Sequence, residues 1–130
     1  MPVRVGVIGV GYLGQHHARI YSGLDNVELV ALADSDKDRA DNLARNYRCG
    51  SFTRYEDILG MCDAVSIVTP TVTHHKIALD CLRAGKDLLI EKPITGDVRS
   101  AKDLFEEAEK RNLILQVGHL ERYNPAVVAA

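Results

Sequence analysis

A chain of 130 residues has room for one domain and not for two ordinary ones, and 46% hydrophobic with 26% charged residues is the balance of a soluble globular protein, indicating no unusual class. A formal net charge of -2 and an isoelectric point near 6.2 argue against nucleic acid as a main partner. Three cysteines without a C-x-x-C pair (Cys49, Cys62, Cys81), an amino end without a secretory pattern and no apolar run near the ~20 residues needed to span a membrane predict a cytoplasmic protein with free thiols.

Val3 to Ile8 is a β-branched run and predicts the first strand. It leads into Gly9, Gly11 and Gly14, a G-x-G-x-x-G that opens a helix with the apolar stripe Leu13, His17, Ile20, Tyr21 and Leu24. In such a motif the first glycine permits the tight turn, the second lets backbone approach a pyrophosphate, and the third lets helix and strand pack closely. The helix N-terminus adds unpaired N–H groups and the positive end of its dipole. A glycine-rich turn with no ligand is the alternative. The strand before it, the helix after it and an acid beyond the next strand favour the dinucleotide, with Tyr12 and Leu13 in the turn as further contacts.

That acid is Asp34, 20 positions past Gly14 (34 − 14), at the end of a second predicted strand, Val27 to Ala33. A carboxylate there accepts hydrogen bonds from ribose hydroxyls and repels a 2′-phosphate, so NAD is expected in preference to NADP, with Ser35 beside it. Asp34 could also cap the following helix, as could Ser35 or Asp36. Lys37 and Arg39 stand near enough to soften the exclusion of NADP.

Ala40, Leu43, Ala44 and Tyr47 set the stripe of the next helix, and Gly50 to Phe52 is a short, weaker strand. "DAVSIVTP" from Asp63 predicts a fourth strand. Ile77, Ala78, Cys81 and Leu82 line a helix that Gly85 stops in a left-handed conformation. Leu88 to Ile90 is a buried strand. Val98, Ala101, Leu104, Phe105 and Ala108 form a helix with Asp97 as N-cap, and "LILQVG" from Leu113 is the sixth strand. Near-continuous apolar strands alternating with helices predict α/β architecture: a doubly wound parallel sheet, or Rossmann fold, in a single domain over 1–130. His16-His17 and His74-His75 are adjacent pairs, about 100° apart on a helix, and cannot chelate one ion, so no metal is expected. His17 falls on the apolar stripe and reads as a packed core residue.

Ligands of an open parallel sheet bind beyond the carboxyl ends of its strands. Thr69-Pro70-Thr71 and Glu91-Lys92-Pro93 therefore share the rim with the glycine turn, which accounts for a charged pair at the mouth of a core strand. The same charged pair could be a weak surface ion pair instead. Gly9, Gly11, Gly14 and Asp34, then "TPTVTHH" with His74, "AGKDLLIEKP" and "VGHLERYNPA" together resemble the glucose–fructose oxidoreductase / inositol 2-dehydrogenase family, in its order and spacing. The resemblance implies an NAD-dependent oxidoreductase moving hydride between a sugar or nucleotide-sugar hydroxyl carbon and nicotinamide. It implies Lys92 as the catalytic residue beside the nicotinamide and the reacting carbon, and Glu91 as a cofactor contact. Thr69, Pro70, Thr71 and His74 would line the nicotinamide side, while His119 and Arg122 with Lys92 would face the substrate. A lysine can hydrogen-bond the reacting hydroxyl and take its proton if burial lowers its pKa from about 10.4 towards neutrality.

The wording of "VGHLERYNPAV" resembles the branch acting on UDP-N-acetylglucosamine at its 3-hydroxyl. Arg122 offers a fork for phosphate, although it could instead pair with Glu121 or Glu91. Family members carry a second, substrate domain, so this chain reads as a cofactor domain that is inactive alone and homo-oligomeric at full length. A cis Lys92–Pro93 peptide is a further expectation. A non-catalytic NAD-binding regulatory domain has no use for Lys92, and a methyltransferase has none for Gly14 or the Glu-Lys-Pro.

Overall fold

The computed structural model describes residues 2–91 and 97–118. Its strands are β1 (Val3–Ile8), β2 (Val27–Ala33), β3 (Gly50–Phe52), β4 (Ala64–Ile67), β5 (Asp87–Ile90) and β6 (Leu115–Val117). The helices are α1 (Tyr12–Ser22), α2 (Lys37–Tyr47), α3 (His74–Arg83) and α4 (Val98–Lys110). The strands form one sheet in the order β3-β2-β1-β4-β5-β6, and every neighbouring pair is parallel. This is the doubly wound architecture that the sequence predicts. The chain winds outward from β1 to β3, then crosses back to lay β4 on the other side of β1. A topological switch point therefore lies between β1 and β4.

Strand residues alternate between two cores. Val5, Val7, Leu32 and Leu89 pack against Ala18 and Tyr21 of α1 and Ala40 and Ala44 of α2. Ile8, Ala31, Ala33, Val65, Ile67, Leu88 and Ile90 face the opposite layer, with Ile77, Ala78, Cys81 and Leu82 of α3 and Leu104 and Ala108 of α4. All three cysteines are free thiols, and burial pushes the Cys62 thiol up to about 11 and Cys81 up to about 12.

The capping and stop signals hold. Asp97 caps α4, its carboxylate accepting from the Ser100 amide at 2.8 Å, and Gly85 follows α3 with φ +81°. Asp36, not Asp34, caps α2 by accepting from the Arg39 amide. The α4 stripe is narrower than its spacing suggests, with Val98 and Phe105 exposed and Leu104 and Ala108 buried, and three further features depart from or add to the reading of the sequence. Leu24 lies beyond the end of α1, which stops at Ser22, and packs against the same core from the turn. A 3-10 segment, Tyr55–Met61, fills the crossover before β4, inserting Ile58 into the core. α2 ends on Arg48, a non-glycine residue with φ 55°. No helix among the described residues is long and apolar enough to cross a membrane.

Candidate cofactor site

The three glycines do three different things. Gly9 has φ +92°, and a Cβ on it would lie 2.8 Å from the Val68 carbonyl oxygen, so only glycine makes this turn. A Cβ on Gly14 would stand 1.8 Å from the Gly9 carbonyl oxygen; α1 is laid directly on the end of β1 there. A Cβ on Gly11 would meet nothing within 4 Å among the described residues, so its missing side chain makes room for none of them. What it leaves is open space at the N-terminus of α1. That helix has no side-chain cap and no acid in its first turn, as is also true of α3, whereas α2 and α4 are each capped by an aspartate. Its first N–H groups and dipole are offered to an anion from outside.

Asp34 braces this turn. One carboxylate oxygen accepts from the Val10 amide at 2.8 Å, and the other accepts from the Asp36 amide at 2.8 Å and the Arg39 guanidinium at 3.2 Å. Burial alone would push the Asp34 carboxyl up, but the two amides and Arg39 outweigh it and hold the group below the usual carboxylate range. It stands ionised at neutral pH, at the end of β2, beside a cleft of about 480 Å³ along the rim. Gly9, Gly11, Asp34, Ser35, Thr69 and Pro70 of the expected site line that cleft. Arg39, Thr53, Tyr55 and Thr73 join them, of which Thr53, Tyr55 and Thr73 were not foreseen. The signal was present, because Thr53 is the residue after β3 and the rim follows every strand end. Tyr12, largely exposed, and Leu13, Gly14 and Thr71 do not line the cleft, although they adjoin it in sequence.

Beyond β4 the rim is tied by short polar contacts. The Thr73 hydroxyl donates to the Pro70 carbonyl at 2.6 Å, which leaves the Thr69 hydroxyl to donate to Thr73, also at 2.6 Å. His74 is buried, and its Nε2–H donates to the Thr69 carbonyl at 2.8 Å, which requires the proton on Nε2. It therefore holds the loop that lines the cleft. Glu91 is also buried, and its carboxylate meets His17 Nε2 at 2.5 Å beneath α1. His17 is in the core, as its place on the stripe predicts, but as half of a polar pair. Lys92, Pro93, His119 and Arg122 lie outside the described residues. Among the described residues, no group of three or more His, Cys, Asp and Glu side chains is gathered for a metal ion.

Residues 3–119 match the model of a family described as an oxidoreductase family with an NAD-binding Rossmann fold. The chain is 42% identical over 125 residues to UDP-N-acetylglucosamine 3-dehydrogenase of Acidithiobacillus ferrooxidans, a match covering 96% of this chain. The solved structure of that enzyme superposes with a TM-score of 0.88 at 41% identity, over 99% of this chain and 42% of the other. Identity to the scyllo-inositol 2-dehydrogenase (NAD(+)) of Bacillus subtilis is 34% over 132 residues, or 98% of this chain. A mutant 3-ketoreductase from Actinomadura kijaniata, solved with TDP-benzene and NADP, gives a TM-score of 0.89 at 30% identity, covering 99% of this chain and 42% of that one. The chain spans 39% of the length of either curated relative.

Proposed function

Since the chain belongs to the glucose–fructose oxidoreductase / inositol 2-dehydrogenase family, whose Rossmann domain binds NAD, we propose that it is the cofactor-holding part of a nucleotide-sugar dehydrogenase. The observation that carries the cofactor assignment is Gly11, where a Cβ would meet no described residue within 4 Å, at the start of α1, which has no side-chain cap, with ionised Asp34 bonded to the preceding Val10 amide. The pyrophosphate belongs at that helix N-terminus and the adenosine ribose at Asp34 and Ser35. Thr69, Pro70, Thr71 and His74 belong to the nicotinamide side. NAD, when bound, supplies the hydride acceptor. Lys92 is assigned to the reacting hydroxyl, where it accepts the proton that leaves as the C–H bond breaks, and His119 and Arg122 to substrate binding.

A nucleotide sugar is favoured over a free polyol by the higher identity to the UDP-N-acetylglucosamine enzyme, 42% against 34% for the inositol enzyme. Arg122, with its two-pronged donor, suits a diphosphate. A separate substrate domain, a homo-oligomeric full-length enzyme and a cytoplasmic location belong to the same proposal. The test is NADH formation by the full-length enzyme with UDP-sugars, myo-inositol and free hexoses. Turnover is expected with UDP-sugars, and turnover confined to unphosphorylated polyols would contradict the assignment.

A further inference from the structure

The alternation along β5 sends Leu88 and Ile90 to the α3–α4 layer and Leu89 to the α1 layer. Glu91, the next residue of that second set, is thereby directed beneath α1. There it meets His17 at 2.5 Å, with the two side chains 5% and 0% exposed. One turn further along α1, the Tyr21 hydroxyl pairs with Ser66 of β4 at 2.5 Å, and the His17 and Tyr21 rings meet edge to face with centroids 6.4 Å apart. Burial pushes the Tyr21 hydroxyl up to about 12, so it stays a neutral donor and acceptor. A seam of four polar side chains therefore runs between one helix and two strands, in a layer otherwise built of Val, Leu and Ala.

Such a seam is a poor way to gain stability. The cost of desolvating a buried ionisable pair roughly cancels its attraction, and an apolar pair of similar volume packs at least as well. What directional bonds add is register: a helix resting on Leu and Val can slide or roll by fractions of an ångström, whereas one bonded at two successive turns cannot. The parts held in register are functional ones. α1 begins at the glycine turn, where the pyrophosphate belongs, and Glu91 ends β5, on the far side of the β1–β4 switch point from Asp34. A dinucleotide crosses that switch point, with adenosine on the β2 side and nicotinamide on the β4–β5 side.

We propose that His17, through its bond to Glu91, is a positioning residue that fixes the β5 rim relative to the pyrophosphate turn and so holds the nicotinamide half of NAD. The inference rests on the cofactor assignment above. It sets a test that the fold alone would not pass, because ADP-ribose carries everything in NAD except the nicotinamide ring. Calorimetry should compare NAD with ADP-ribose for the wild-type chain, His17→Leu and His17→Gln, with folding checked by circular dichroism. His17→Leu is expected to weaken NAD about tenfold while leaving ADP-ribose within about twofold. His17→Gln keeps an N–H donor in reach of Glu91 and should restore most of the difference. If His17→Leu does not fold, the double variant His17→Leu/Glu91→Leu replaces the pair by apolar groups and should show the same split. Equal losses for both ligands, or NAD binding unchanged in the folded variants, would overturn the proposal. A folded wild-type chain that binds neither ligand would instead remove the cofactor assignment, and this inference with it.

Discussion

A methyl group on Gly14 would stand 1.8 Å from the Gly9 carbonyl oxygen, whereas one on Gly11 would meet nothing within 4 Å. Backbone on both sides of the Gly14 contact leaves no flexible side chain to give way, so Gly14→Ala should destabilise the fold by roughly 3 kcal/mol or more. Gly11→Ala should unfold at nearly the wild-type temperature and yet lose most affinity for NAD, because its Cβ enters the space that the proposed site gives to the pyrophosphate. Thermal melts and calorimetry on the two variants separate these roles; a stable Gly14→Ala or a Gly11→Ala that binds normally would contradict them. The turn at Gly9 and the close helix–strand contact at Gly14 were legible in the spacing of the glycines, as was the place of Asp34 after β2. What was not legible is the neighbourhood of each polar side chain. Nothing local to "GQHHA" says that His17 finds a carboxylate 74 positions away, since that pairing depends on which strand α1 covers. Glu91 likewise turns under α1 because of strand parity and helix placement together.

At the scale of elements, the periodicities carried most of the information. Stripes at helical spacing placed α2, α3 and α4, and aspartates before two of them set their starts. The ends were harder to read. The sequence offers Gly85 as a visible stop after α3, but α2 turns on Arg48 at φ 55°, with its amide bonded back to Ala44. A left-handed arginine costs about 1 kcal/mol relative to glycine, a cost the packing around α2 overrides. Arg48→Gly should therefore raise stability by about 1 kcal/mol, read as a higher denaturant midpoint, without altering NAD affinity. A fall in stability would mean that the Arg48 side chain contributes more than its backbone conformation costs. The 3-10 segment at Tyr55–Met61 escaped notice for a related reason: it is too short to show a period, and only Ile58 is buried.

Across the whole molecule, the strand order converts local motifs into one site. Winding out to β3 and back to β4 brings the ends of β1, β2, β3 and β4 to one rim, so residues as far apart in sequence as Gly9, Asp34, Thr53 and Thr69 line the same cleft. The charges on that rim decide the cofactor. Asp34 is buried, held by two amides and kept ionised, whereas Arg39, 46% exposed at its side chain, is the solvent-facing partner of the pair. A 2′-phosphate that drew Arg39 away would still face the ionised Asp34 carboxylate, held in place by the Val10 and Asp36 amides, and the two anions repel. The central claim is that this rim holds NAD, and calorimetric titration of the 130-residue chain with NAD and with NADP tests it most directly. The account predicts saturable one-to-one binding of NAD, tighter than NADP, with the gap narrowed in Asp34→Ala. A folded chain that binds neither dinucleotide, or that binds NADP as tightly as NAD, would contradict it.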